Sequence, residues 1–435
     1  MNTVWNRMID ILKTDVVPAT GCTEPVSLAY ASAVAARELG EPVQSIEARV
    51  SPNLMKNGMG VMVPGTGRPG LLIAAAVGAL GGDPDAGLQV LESASAEAVQ
   101  QGAHMVDTGL VTVGIAEEIP YVLYSEALVK GEHHAVKVCI ANGHTNVISI
   151  EKDGESIFSA AQTDSGNKDD KIFFLQGLGL ADILEFAEQV PLEQIEFLCQ
   201  SEVVNDALSK EGLTGNYGLH LGCSMRQQQD RGLLGNDLLS KVVIRTVGAS
   251  DARMGGAKLP AMTNSGSGNQ GISATMPVVA VADYVQASPE VRLRALALSH
   301  MTAIYAHAFL PKLSAFCATI TACMGAAAGM AWLMAKEDKL AVIRRAICSM
   351  TGDISGMVCD GAANSCSMKV ASACTSAVRA VILALDGVYV SGHDGLVAFD
   401  ADECIHNLGQ LASHGMQITD QEILRIMMNK NKSEH

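Results

Sequence analysis

Apolar and polar positions change rhythm three times along the chain. Residues 1–40 predict two helices interrupted between Pro18 and Pro25, the second being the run VSLAYASAVAARELG, which Gly40 is placed to stop. A strand-like VQSIEARVS follows, then a glycine-rich stretch from Lys56 to Gly67, the small-residue helix LLIAAAVGALGG and a second Ala-rich helix ending near Gln101. From about Val106 the pattern turns to alternation in LVTVGIA, YVLYSEALVK, HAVKVCIA and HTNVISIEK, with helical spacing returning in ADILEFAEQV and LEQIEFLCQS. Beyond Gly212 the chain is again Gly-, Ala- and Ser-rich and helical to its end. These rhythms predict an α+β fold in which residues 1–105 and 212–435 form a largely helical domain of small residues. Residues 106–211 form a smaller inserted α+β domain.

Composition narrows what such a chain does. Its 435 residues are 48% hydrophobic and 17% charged, which describes a folded protein. The 30 Lys and Arg against 46 Asp and Glu give a net charge of −16, which repels phosphate backbones and anionic lipid, so neither nucleic acid nor a membrane surface is an expected partner. With 42 Gly and only two Trp, the interior is expected to be close-packed small-residue helices. Residues 313–335 carry no charge and are long enough to span a bilayer. They consist mostly of Ala, Gly, Ser, Thr and Cys without flanking aromatic belts, so a helix buried on all sides is the better expectation. The first residues show no basic segment followed by an apolar run, and eleven Cys is an odd number. A reducing, cytoplasmic setting is expected, with cysteines serving as buried small residues or metal ligands.

Four segments carry candidate chemistry. Cys359 and Cys366 flank DGAANS, where a glycine turn curls two thiols toward a common centre; a cubane cluster accepts such dispersed ligands, and two buried helix cysteines are an equal competitor. Cys317 and Cys323 lie on the uncharged segment, at a spacing that lets at most one of them face a shared centre. Cys22 sits in the N-terminal break beside Glu24. The loop Ser265-Gly266-Ser267-Gly268-Asn269, preceded by Ser250-Asp251-Ala252-Arg253, offers backbone N–H groups and hydroxyls to a small carboxylate and lacks the spacing of a nucleotide loop. Ser51, Asn53 and Lys56 in SPNLMKNG, and His144 in GHTN, are suited either to an amino-acid substrate or to ordinary turns. Lys56 has no phosphate-cradling partner pattern that would make it a pyridoxal lysine.

Taken in order, GCTEPVSLA, SPNLMKNGMGVMVPGTG, DARMGGAKLPAMTNSGSGNQGI, CMGAAAGMAW and GMVCDGAANSCSMKV resemble the L-cysteine desulfidase family, which is related to the α chain of iron–sulfur L-serine dehydratases. The resemblance covers nearly the whole chain. It implies cleavage of L-cysteine and water to pyruvate, ammonium and hydrogen sulfide at a [4Fe–4S] cluster, with the helical domain as the catalytic one. It further implies Cys317, Cys359 and Cys366 as ligands, with one iron left open, and Cys22 as proton acceptor. From residue chemistry, Arg253, Ser265, Ser267 and Asn269 are expected to hold the substrate, together with Ser51, Asn53 and Lys56. The short gap between Cys359 and Cys366 departs from the longer one of the dehydratases, which argues against an activity on serine alone. Serine dehydration at the same site and a non-catalytic amino-acid-binding role are the alternatives. Self-association stays open.

Overall fold

The computed structural model describes residues 3–160, 166–311 and 313–430. The fold is α+β, as the rhythms predict. Among the described residues eight strands form: β1 (Pro18–Ala19), β2 (Ser45–Val50), β3 (Val111–Ile115), β4 (Tyr124–Lys130), β5 (Ala135–Ala141), β6 (Val147–Lys152), β7 (Glu155–Ser159) and β8 (Ala261–Met262). Six of them make one sheet in the order β3-β2-β4-β5-β6-β7. Only the β2–β3 pair is parallel, with Ile46 opposite Val111 and Val50 opposite Ile115. Period-two alternation buries Ile46, Ala48 and Val50 on one face of β2. Helices Thr23–Leu39 and Leu71–Gly81 close over the sheet and share a core with it that runs from Leu28 to Ile140.

The sheet is thus not confined to residues 106–211: β2 and its covering helices come from upstream of that span. At the other boundary, helix Cys199–Gly212 packs on helix Leu238–Met254, inside the helical part. Helix Thr3–Asp15 buries Met8, Ile9, Ile11 and Leu12 in the helical core, and β1 pairs with β8 before the chain crosses to the sheet. The N-terminal break therefore lies where the two cores meet. Gly40 ends the second helix in the left-handed conformation expected of a stop residue, at φ 73°.

The uncharged segment forms helix Thr319–Met334, buried from Thr319 to Trp332. It packs most closely on helix Pro289–His307, where a Cβ at Gly325 would fall 2.3 Å from the Ser299 carbonyl oxygen. Small residues are what let the two backbones approach. Among the described residues one helix, Cys366–Leu385, is long and apolar enough to cross a bilayer; half of it is buried in the protein.

Candidate active site

A cavity of about 450 Å³ opens where the two cores meet. Eight of the residues singled out in the sequence line it: Cys22, Arg253, Ser265, Ser267, Asn269, Cys317, Cys359 and Cys366. They are brought there mainly by helix starts. Cys22 caps helix Thr23–Leu39, Ser267 caps Gly268–Tyr284, Cys317 precedes Thr319–Met334, and Cys366 opens Cys366–Leu385. None of these four helices has a side-chain cap. Their dipoles put partial positive charge around the cavity, a setting for carboxylate and thiolate.

The thiol-bearing segments are tied to each other. Phe316 and Val358 form an antiparallel bridge; the Cys317 N–H donates to Met357 O (3.2 Å) and the Cys359 N–H to Ala315 O (2.7 Å). Burial pushes the Cys317 thiol up to about 12, helped by the charge of Cys359 and opposed by Thr319. Burial raises Cys366 too, against Lys369 and Arg253. The three sulfurs therefore feel one another across one space. Among the described residues no three His, Cys, Asp or Glu side chains close on a single point as one metal ion requires. Cys317, Cys359 and Cys366 set three soft donors along the wall of one cavity.

Cys22 is 2% exposed and packs with Val61 and Met254, beside Ala362 and Cys366. Burial pushes its thiol up to about 12, while the adjacent Arg253 pulls it down. Arg253 is 5% exposed, forms no ion pair among the described residues, and leaves Nε without a hydrogen-bond partner. A Cβ on Gly268 would lie 2.2 Å from that Nε, so glycine there admits the guanidinium against the helix start. Behind the loop, Ser265 is left-handed at φ 51° and its hydroxyl donates to Asn264 Oδ1 (2.9 Å). Asn269 Oδ1 accepts from the Ser250 hydroxyl (3.3 Å).

Ser51, Asn53 and Lys56, expected as substrate contacts, do not line the cavity. Ser51 caps helix Pro52–Gly58 and its hydroxyl donates to Val122 O (2.8 Å), joining helix to sheet. The Asn53 amide and the Lys56 amine are both committed to Asp420. Glu24, Asn57, His144 and Lys369 do line the cavity, Glu24 Oε1 accepting from Asn57 Nδ2 (3.2 Å). Lys369 follows Cys366 at i+3 on one helix face, a spacing that the sequence displays. Cys323 lies outside the wall, its sulfur 3.7 Å from that of Cys374 in the helical core.

The family described as serine dehydratase alpha chain matches residues 85–425. A UPF0597 protein of Chromobacterium violaceum is 53% identical over 427 residues, covering 98% of each chain. The UPF0597 protein YhaM of Escherichia coli O127:H6 is 52% identical over 431 residues, covering 99% of this chain and 98% of its own, and that of E. coli O1:K1 matches to the same extent.

Proposed function

The chain belongs to the serine dehydratase alpha chain family, and from that premise we propose that it is a lyase cleaving L-cysteine and water to pyruvate, ammonium and hydrogen sulfide by α,β-elimination. The observation that carries the reading is Arg253. A guanidinium buried in a cavity wall without a carboxylate partner is costly unless an anionic ligand completes it. A substrate carboxylate does so, received between Arg253 and the uncapped helix start at Ser267 to Asn269.

Cys317, Cys359 and Cys366 would hold a [4Fe–4S] cluster, which when bound supplies an iron with an open position as Lewis acid. The rest falls to the chain's own residues. Arg253 and the loop orient the amino acid so that its Cα hydrogen faces Cys22, whose Sγ, once its own proton has passed to water in the open cavity, takes the Cα proton as a thiolate while the sulfur departs. Arg253 is also the cation that makes this thiol more acidic than burial alone would leave it. Met254 and Phe316 give the wall apolar patches beside which a leaving sulfur is accommodated. The enamine so released tautomerises and hydrolyses unaided. All eleven cysteines are free thiols, which suits a reducing cytoplasm.

The family's own description favours a second reading, dehydration of L-serine at the same site, since hydroxide and sulfide leave from the same carbon. Anaerobically purified protein tests both. The expected result is bound iron and labile sulfide in equal amounts, with pyruvate formed faster from L-cysteine than from L-serine at equal concentration. Preference for serine turns the assignment to the dehydratase. Absence of iron and of any pyruvate ends both readings.

A further inference from the structure

Lys56 is a buried charged side chain near the thiols, 1% exposed, and it does not reach the cavity. Its Nζ instead donates to three oxygens: Ser314 O (3.3 Å), Cys359 O (3.2 Å) and Asp420 Oδ1 (2.5 Å). The two carbonyls belong to the two segments that carry Cys317 and Cys359. Asp420, on the C-terminal helix Gln417–Lys430, uses its other oxygen to accept from Asn53 Nδ2 (2.6 Å), which also lies 3.5 Å from Leu313 O. The Lys56 carbonyl closes the contact: a Cβ on Gly361, at φ 97°, would fall 2.3 Å from it.

A buried ion pair adds little net stability, because desolvation offsets its Coulombic gain. What this one does is geometric. Its three donor bonds tie two thiol segments, through their backbone carbonyls, and a distant helix, through the Asp420 carboxylate, to a single buried ammonium. We propose that the Lys56–Asp420 pair is a latch that presets the spacing of the Cys317 and Cys359 thiols for a metal cluster, with the C-terminal helix as its outer half. This rests on the reading that those thiols take the cluster. Lys56 is then a positioning residue rather than a substrate contact.

Lys56→Met alone leaves Asp420 unpaired and risks misfolding, so the decisive variant is Lys56→Met/Asp420→Leu, which removes both charges together. The probe is Cd²⁺ added to the full-length, cluster-free protein, read by its thiolate charge-transfer absorption, alongside a thermal melt. The expected result is a folded double variant whose Cd²⁺ affinity falls about 10- to 100-fold, the range seen when ligand-orienting partners are removed. After anaerobic reconstitution its bound iron is expected to fall in parallel. Unchanged Cd²⁺ affinity in the folded double variant overturns the latch. So does absence of the thiolate band in the unaltered protein, since Cys317 and Cys359, held side by side on bridged segments, must share a soft cation between the two of them. If the unaltered protein shows the band yet takes up no iron–sulfur cluster, the proposed function falls while the comparison of variants still decides the latch.

Discussion

Cys317 and Cys323 belong to one short stretch at the start of one helix, yet they meet different surroundings. Cys317 lies in the cavity wall with Cys359 and Cys366 for company, whereas Cys323 points into the helical interior, its sulfur 3.7 Å from that of Cys374. A second interior pair, Cys348 and Cys404, has its sulfurs 3.7 Å apart behind helix Lys339–Ile354. The interior pairs satisfy each other as small, weakly polar groups in packed helices. The wall thiols are not paired with each other in this way: Cys366 Sγ donates to Gly361 O (3.5 Å), and burial raises both Cys317 and Cys366 above the ordinary thiol range. What separates the two sets is thus the space a thiol faces.

The sharpest way to break this contrast is to substitute one member of each set. Cys359→Ser is expected to take bound iron and pyruvate formation to background. Cys374→Ala is expected to keep both and to lower stability by about 1 kcal/mol, the ordinary cost of a buried truncation. Iron analysis and a denaturant melt on the two variants read this out. Equal iron loss in both would mean that the interior pair is part of the metal site.

Cys22→Ser sharpens the same boundary from within the wall. A hydroxyl is nearly isosteric with the thiol but far harder to deprotonate, so iron content is expected to hold. Turnover is expected to drop about 10²- to 10⁴-fold, the span of a lost proton-transfer group. Iron falling as far as in Cys359→Ser would instead make Cys22 a fourth ligand. Full activity would pass its role to another proton acceptor of the wall, such as Glu24.

Arg253→Gln follows, at a smaller expected cost. Removing a charge-assisted bond to a carboxylate is worth about 1.5–3 kcal/mol, so kcat/KM for L-cysteine is expected to fall about 10- to 100-fold, with iron content unchanged. A variant with unaltered kcat/KM would place the carboxylate elsewhere.

How much of this was legible before folding divides along the same line. Local chemistry read well: Gly40 as a stop, the uncharged segment as a buried helix, and four cysteines that do gather at one cavity. Long-range pairing did not. VQSIEARVS reads as a strand, but its parallel partnership with β3 depends on which distant segment closes the sheet, and no local pattern states that. Ser51, Asn53 and Lys56 look like substrate contacts because polar residues beside glycines commonly are. Their commitment to Val122, Leu313, Ser314, Cys359 and Asp420 spans up to most of the chain. The Ser51-Pro52 pair did carry a usable signal, a cap followed by proline in the first helical turn.

The smallest expected effect lies behind the wall, at His300, fully buried below the loop that ends in Ser267. Asn264 Nδ2 donates to its Nδ1 (3.1 Å), while the Thr275 hydroxyl, already donating to Gly271 O, accepts from its Nε2 (3.1 Å). Those partners select the neutral ring with its hydrogen on Nε2, because a proton on Nδ1 would face the Asn264 amide hydrogens. Burial accordingly pushes His300 down to about 4. As pH falls from 6.5 toward 4, the unfolded chain takes up a proton that the folded one refuses, so stability present above that window is lost through it, by at most about 3 kcal/mol. His307, also pushed down to about 4 by burial, adds a slope of the same sign. Denaturant melts across this window are expected to show His300→Gln with a shallower decline than the unaltered protein and with the His307 share intact. Parallel declines in the two proteins would mean that His300 titrates alike folded and unfolded, and that the loop above it is not held by a neutral ring.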